Sequence, residues 1–112
     1  GQALDVSLYW HVLNPFDTDD LRTLVHAVDV DGNIVAQADA PPLNGKYPTS
    51  HWTNGQIIED HHTLPNDETI HSVLIGLYTL DGVRLNVTEN GNPMTNNTIE
   101  LTRETQECKN NE

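Results

Sequence analysis

Residues 4–12 read LDVSLYWHV, and apolar and polar side chains alternate along this stretch without a break. The even-numbered positions hold Leu, Val, Leu, Trp and Val, whereas the odd-numbered positions hold Asp, Ser, Tyr and His. Successive side chains of a β-strand point to opposite faces, so a period of two places all the apolar ones together. The stretch therefore predicts a half-buried strand, which ends at Asn14-Pro15 because proline cannot donate a ladder hydrogen bond.

Two Asp-Gly pairs predict β-hairpins farther along the chain. Residues 23–30 and 34–39 are rich in apolar and β-branched side chains, and Asp31-Gly32 lies between them. Glycine readily adopts the positive φ that tight hairpin turns require, and aspartate tolerates it better than most residues. Asp81-Gly82 follows the longest β run, residues 69–80, and predicts a second hairpin for the same reason.

The remaining segments complete an all-β pattern. Further strands are predicted over residues 56–64, 83–87 and 98–102, and no stretch has convincing helical periodicity. About eight short strands separated by turns are typical of an antiparallel β-sandwich of immunoglobulin-like or jelly-roll topology, with a barrel as the alternative. A chain of 112 residues fits one domain. We assign that domain to residues 1–102 and a polar C-terminal tail to residues 103–112.

The inward faces of these strands define the expected core. His26 follows the same alternation as Leu24, so we expect a buried imidazole that is hydrogen-bonded to the backbone or to a carboxylate. Tyr78 shares a face with Leu74 and is also expected in the core, with its hydroxyl bonded to the backbone. The expected core residues are Leu4, Val6, Leu8, Trp10, Leu24, Val28, Val30, Ile75 and Leu77.

The charge balance disfavours several classes of partner. The 17 acidic and 5 basic residues give a formal net charge of −12 at pH 7. This field would repel a phosphate backbone or an anionic membrane surface, so we expect no nucleic-acid partner. No apolar run approaches the roughly 18 residues of a transmembrane helix, so we expect no direct membrane insertion by this domain. Cys108 is the only cysteine, which excludes an intrachain disulfide and a cysteine-based zinc site.

Histidines and carboxylates raise the question of a metal site. No His-Glu-x-x-His pattern occurs, and His61 and His62 would point to opposite faces of a strand. Structural roles are therefore favoured, and we predict no cofactor. Calcium at the acidic residues 17–20 or at Glu59-Asp60 is the weaker alternative to a solvated acidic surface. The histidines are His11, His26, His51, His61, His62 and His71.

Catalytic constellations are not evident in the sequence. Ser7, Ser50 and Ser72 lack the Gly-x-Ser-x-Gly setting of a nucleophilic serine, and Cys108 lies among polar residues without an identifiable base. Nothing in the sequence fixes the separation of two carboxylates that a glycosidase needs. The sequence therefore predicts a protein that is not an enzyme.

The long connection over residues 40–55 holds the most specific candidate for ligand binding. Loops of this kind inside a compact domain are usually functional or cross between sheets. Trp52 and Tyr47 offer aromatic faces that can stack on a sugar ring, and His51 and Asn54 can hydrogen-bond its hydroxyls. The more ordinary interpretation is that both rings anchor the loop, so their exposure discriminates between the two.

A series of short motifs spans residues 4–87. They are YW at 9–10, VHAVDVDG at 25–32, QAD at 37–39, PP at 41–42, YPTS at 47–50, WTNG at 52–55, Asp60, GLY at 76–78 and RL at 84–85. In this order they resemble a β-sandwich domain at the extracytoplasmic C-terminal end of large bacterial membrane proteins. Many of those proteins resemble dolichyl-phosphate-mannose-protein mannosyltransferases of Chloroflexi-type bacteria.

The resemblance implies a function as well as a fold. It implies a non-catalytic accessory domain outside the membrane, attached to a membrane-embedded glycosyltransferase-like parent in which the catalysis resides elsewhere. Such a domain would bind or position a glycan, a protein partner or another domain of the parent. The alternative is a purely structural spacer or assembly module without a ligand.

Overall fold

Strands account for the regular structure that the sequence pattern predicts. The computed structural model describes residues 3–14 and 20–102. Three short 3-10 turns join the strands, at Pro42–Gly45, Thr49–His51 and Thr95–Asn97. Within these residues the strands are β1 (Ala3–His11), β2 (Arg22–Val28), β3 (Ile34–Gln37), β4 (Ile57–Pro65), β5 (Ser72–Tyr78), β6 (Thr88–Glu89), β7 (Asn92–Pro93) and β8 (Ile99–Thr102).

The strands form two layers of antiparallel sheet and one small hairpin. One layer is a four-stranded sheet in the order β3-β2-β5-β8, and the other is the β1-β4 pair. The β1-β4 ladder runs from Ala3 opposite Pro65 to His11 opposite Ile57. Strands β6 and β7 form the hairpin. The predicted all-β antiparallel sandwich is confirmed; the tail over residues 103–112, with Cys108, lies outside the described residues.

The core lies between the two layers. Val6 and Leu64 from the two-stranded sheet pack against Val25 and Val73 from the four-stranded sheet. These side chains are at most 7% exposed. Burial of this aliphatic surface is the main favourable contribution to folding, because it removes apolar area from water.

The expected core is largely correct, with one clear error. Val6, Leu24, Val28, Ile75 and Leu77 are buried, and the predicted core positions 4, 8 and 10 are half-buried. Val30, however, is 76% exposed. Strand β2 ends at position 28, so Val30 belongs to the hairpin turn rather than to the alternating face.

The hairpin predictions are also confirmed in part. Gly32 and Gly82 adopt φ values of +85° and +88°, as their turns require. The predicted strand over residues 83–87 is reduced to a bridge between Arg84 and Tyr78. The chain then leaves the sheet and makes the β6-β7 hairpin, whose turn has Asn90 and Gly91 at positive φ.

Val25 and Val30 provide a test of this fold, because the alternation puts Val30 in the expected core whereas the structure buries Val25 and exposes Val30. We expect Val25→Ala to lower the free energy of unfolding by about 2 kcal/mol, because Val25 is fully buried and the change leaves a cavity. Val30→Ala is the matched control and should change it by less than about 0.5 kcal/mol. Urea denaturation followed by tryptophan fluorescence measures both; equal effects would contradict the boundary of β2.

Candidate functional site

The loop between β3 and β4 is anchored to the sandwich by its tryptophan. Trp52 is 3% exposed and packs with Val12 and Ile58 in a second apolar cluster. Its indole Nε1 donates a hydrogen bond to the carbonyl oxygen of Tyr47 at 3.0 Å. The ring therefore presents no open face for stacking on a sugar, which favours the anchoring interpretation of this residue.

The other three residues of the predicted glycan site lie around this anchor. Tyr47 is half-buried, and its hydroxyl lies 3.0 Å from both the carbonyl oxygen of His51 and Oε1 of Gln56. His51 and Asn54 are exposed. The structure thus brings the four predicted residues into one loop, with Trp52 turned inward and the polar side chains outward.

A second anchor holds the same loop two to three residues before Trp52. The backbone N–H of Ser50 donates to Oδ1 of Asp20 at 2.9 Å, and that of Leu21 donates to Thr49 Oγ1 at 3.0 Å. The hydrogen bonds from Ser50 lower the pKa of Asp20 below its usual value. Of the predicted acidic cluster, Asp20 thus holds the loop; its other acids, Asp17 and Asp19, lie outside the described residues.

One buried carboxylate connects the loop with both sheets. Asp60 is 1% exposed and accepts four hydrogen bonds. Its Oδ2 accepts from Trp10 Nε1 at 3.1 Å and from Thr23 Oγ1 at 2.9 Å, and its Oδ1 accepts from the N–H of Leu43 at 3.1 Å. The fourth donor is His62 Nε2, at 3.0 Å from Oδ2. These partners lie on β1, β2, the loop and β4, so one charge fixes all four segments.

The contacts of His62 determine its protonation state. Nδ1 lies 2.9 Å from the carbonyl oxygen of Ala38, and Nε2 lies 3.0 Å from the Asp60 carboxylate. Both partners are acceptors, and a neutral imidazole carries only one N–H. Because Asp60 already receives three other donors, the geometry is satisfied by an imidazolium beside an ionised carboxylate. Below the folded-state pKa of His62, the two residues therefore form a buried ion pair.

Opposing influences set the pKa values of this pair. Burial alone disfavours both charged forms, raising the pKa of Asp60 and lowering that of His62. The mutual hydrogen bond, together with the Trp10 and Leu43 donors to Asp60 and the Ala38 acceptor for His62, outweighs burial. The pKa of Asp60 is therefore lowered from 3.8, and that of His62 is raised from 6.5.

This network was not among the sequence-based predictions, because the adjacent acids Glu59 and Asp60 suggest an acidic cluster. On β4 the two alternate: Asp60 is buried and Glu59 is exposed, so they cannot share a calcium ion from the same face. A signal was present in the sequence. Ile58, Asp60, His62 and Leu64 follow a period of two, which places the acid and the histidine on the apolar face.

A second polar cluster lies on the outer face of the four-stranded sheet. Asp39 accepts the N–H of Val25 at 2.8 Å and the hydroxyl of Tyr78 at 3.0 Å, and Nε2 of His26 is 3.4 Å away. The Tyr78 hydroxyl also accepts from Arg22 Nε at 3.3 Å. The sequence predicts that His26 is buried and bonded to the backbone or a carboxylate; it is half-buried and lies beside the Asp39 carboxylate. The prediction that Tyr78 lies in the core with its hydroxyl bonded to the backbone is wrong. Tyr78 is half-buried, and its hydroxyl donates to the Asp39 carboxylate.

A serine, a histidine and a glutamate form a row on the outer face of the β1-β4 sheet. Ser7 Oγ lies 3.1 Å from His61 Nδ1, and Glu59 Oε2 lies 2.9 Å from His61 Nε2. The order resembles a catalytic triad, but these side chains are exposed on a sheet face instead of lining a water-excluded pocket. We interpret the row as cross-strand contacts that stabilise the ladder.

An apolar groove lies between the edge of β1 and strand β8. We call it the flank groove. Its main part has a volume of about 530 Å³. It is lined by residues 85–88, which follow the second hairpin turn, and by strand residues that include Leu8, Trp10, Ile75, Leu77, Ile99 and Leu101. A second part of about 250 Å³ continues it past Leu4 and Val6 and shares Leu101. The groove therefore follows β1 from Leu4 to Trp10.

The groove exists because the two layers differ in width. Within the described residues β1 pairs only with β4, so the four-stranded sheet is faced by a two-stranded one. Ile75 of β5 is 4% exposed, whereas Ile99 and Leu101 of the neighbouring β8 are each 39% exposed. The aliphatic face of β8 is thus incompletely covered, and this feature was not among the sequence-based candidates.

Neither metal clusters nor membrane spans add a further site. No three histidine, cysteine or acidic side chains converge on a point that suits a metal ion in residues 3–14 and 20–102. The same residues contain no helix with the length and hydropathy to cross a bilayer. Comparison with family models, curated proteins and solved structures gave no match to this chain.

The loop anchor leads to a prediction about stability. Trp52→Ala should lower the free energy of unfolding by about 3–5 kcal/mol, since it removes a buried indole and its hydrogen bond to the loop. His51→Ala is the control from the same loop and should have an effect below about 0.5 kcal/mol, because His51 is exposed. Urea denaturation followed by circular dichroism measures both, and a stable Trp52→Ala variant would refute the anchoring role.

The buried ion pair leads to a prediction about pH. The raised pKa of His62 gives stability that is present below pH 6.5 and lost as the pH rises through the folded-state value. The lowered pKa of Asp60 gives stability that is present above pH 3.8 and lost as the pH falls through its folded-state value. The contribution of the pair should therefore be largest between these two pH values.

Urea denaturation of wild type and His62→Gln at pH 5.5 and pH 9 separates this pair from the other histidines. We expect the wild-type advantage to shrink at the higher pH. His61→Gln, from the exposed face of the same strand, should not reproduce that change. An advantage that is equal at both pH values would show that His62 is not an imidazolium in the folded protein.

Proposed function

We propose that this chain is a non-catalytic accessory domain that binds a protein partner through the flank groove. The observation that carries the proposal is an apolar groove beside a strand edge, with Ile99 and Leu101 left 39% exposed at its floor. Contiguous exposed apolar surface of this kind is typical of interaction sites. Apolar pockets next to an exposed strand edge are also where extended peptides commonly bind.

A protein partner fits this surface better than a glycan does. A sugar site combines an aromatic platform with polar side chains that reach hydroxyl groups. The groove is lined mainly by aliphatic side chains, and the indole of Trp52 is buried. The exposed side chains of His51 and Asn54 can hydrogen-bond a sugar, but the Trp52 ring that would stack on that sugar is buried. The glycan function predicted from the 40–55 loop is therefore the weaker candidate.

The cellular setting is part of the same proposal. The motifs between residues 4 and 87 resemble the extracytoplasmic β-sandwich of glycosyltransferase-like bacterial membrane proteins. On that resemblance the domain would be displayed outside the membrane, attached to a membrane-embedded parent whose chemistry resides elsewhere. Its partner would then be another domain of the parent or a separate protein. The alternative is a structural spacer with no ligand at all.

Parallel screens of a random-peptide display library and a glycan array test the proposed function. We expect the folded domain to select peptides, and Leu101→Gln to lose them, because a polar amide in the groove disfavours apolar contacts. Val35→Gln is the matched control, since Val35 is exposed to a similar degree on β3, away from the groove. Binding to glycans only, or to neither library, would reject the protein-partner function; the second result would favour the spacer.

A further inference from the structure

We infer that the flank groove accepts an extended segment of a partner protein that adds to β1 as a β-strand and that alternates apolar with basic residues. This inference rests on the proposed function and specifies the chemistry of the partner. Strand addition combines main-chain hydrogen bonds to a sheet edge with pockets for every second side chain.

The main chain of β1 is accessible from the groove. Tyr9 contributes to the lining although its side chain is on the opposite face, where its hydroxyl lies 3.4 Å from Glu59 Oε2. Asp5 contributes in the same way to the second part. An edge strand presents a row of N–H and C=O groups that a further strand can pair with. Among the described residues, β1 has such a row on the side away from β4.

The dimensions of the groove match a short strand. Its two parts share Leu101 and together follow β1 from Leu4 to Trp10. At about 3.3 Å per residue this is a path of about 20 Å, which a strand of about seven residues fills. Such a strand would lie over β8 and would widen the two-stranded layer to cover Ile99 and Leu101.

The two faces of the added strand would meet different chemistry. Its inward side chains would contact Ile75, Ile99 and Leu101, so every second residue should be apolar. Its outward side chains would lie beside the outer face of β1, where Asp5 is exposed and Tyr9 is 65% exposed. A lysine or arginine there can pair with the carboxylate and contact the aromatic ring.

Charge also discriminates among the possible occupants. The chain has a net charge of −12, and no lysine or arginine is among the groove-lining residues. A second copy of the chain would bring the same negative charge to the interface, which opposes self-association. Residues 103–112 contain no aliphatic or aromatic side chain for the groove. A basic segment of another protein fits both the apolar lining and the charge.

Titration with a synthetic peptide of about seven residues, alternating valine and lysine, tests the inference directly. We expect amide chemical-shift changes on β1 and β8 by NMR and binding by calorimetry that weakens with added salt. Replacement of the lysines by glutamate should abolish binding. A peptide of the same composition with its valines contiguous should also fail to bind, because it cannot place an apolar side chain inward at every second position.

Backbone methylation identifies strand addition itself. Two peptides are N-methylated at alternate residues, one at the odd positions and the other at the even positions. Only one set of N–H groups faces β1 in an added strand, so one peptide should lose binding by about tenfold or more and the other should retain it. Equal effects of the two methylation patterns would overturn strand addition.

Protein variants place the peptide in the groove. Leu101→Gln should weaken binding by about tenfold, whereas Val35→Gln should leave it unchanged. Asp5→Asn should weaken peptide binding and reduce the dependence of that binding on salt. Asp81→Asn, in an exposed hairpin turn, is the control and should change neither the affinity nor its salt dependence. Circular dichroism of each variant verifies the fold before titration.

The outcomes separate this inference from the proposed function. No binding of the alternating basic peptide, or shifts that map away from β1 and β8, would overturn the inference. If display-selected peptides still require Leu101 but lack alternation or basic residues, the protein-partner function stands and strand addition does not. If no peptide requires Leu101, both fail.

Discussion

The arrangement of the sandwich depends on a buried carboxylate that holds four segments of the chain at once. Asp60 accepts hydrogen bonds from Trp10, Thr23, Leu43 and His62, and it is almost completely shielded from water. A buried charge without such partners is strongly unfavourable, so each donor must be in place in the folded state. This requirement fixes how the two sheets face each other and where the connecting loop begins. Among the described residues no buried side-chain nitrogen or oxygen lacks a partner.

That polar centre joins both layers of the sandwich, whereas the flank beside β1 stays open. Its bonds hold β4 to β1, to β2 and to the start of the loop, and β1 packs over β5. Among the described residues no further strand pairs with β1 on that side, and the aliphatic face of β8 is incompletely covered. The Asp60 network and the flank groove therefore meet at Trp10, whose indole donates to Asp60 and which also lines the groove. A partner strand in the groove would therefore pack against a side chain that also holds the buried carboxylate.

The loop over residues 40–55 shows how an aromatic pattern can be ambiguous. Tryptophan and tyrosine in a long connection are equally suited to stacking on a sugar and to fastening the loop. The deciding factor is Val12, which lies beyond the end of β1 and forms an apolar cluster with Trp52 and Ile58. This contact joins residues 40 positions apart, so no local pattern reveals it. The same is true of Thr49, whose hydroxyl accepts the N–H of Leu21.

The sequence by itself determined the strands, because alternation and Asp-Gly turns are local properties of the chain. The LDVSLYWHV stretch and both hairpin turns are found where the pattern puts them. The differences are at strand ends, as at Val30, and in the strand predicted over residues 83–87, which is reduced to a bridge. Tertiary structure alone decided which edges stay open and which polar groups are buried. Asp60 becomes an ion-paired centre, and Ile99 and Leu101 become the floor of a groove, through contacts between residues far apart in sequence. Those contacts depend on how many strands each layer contains, which periodicity does not encode.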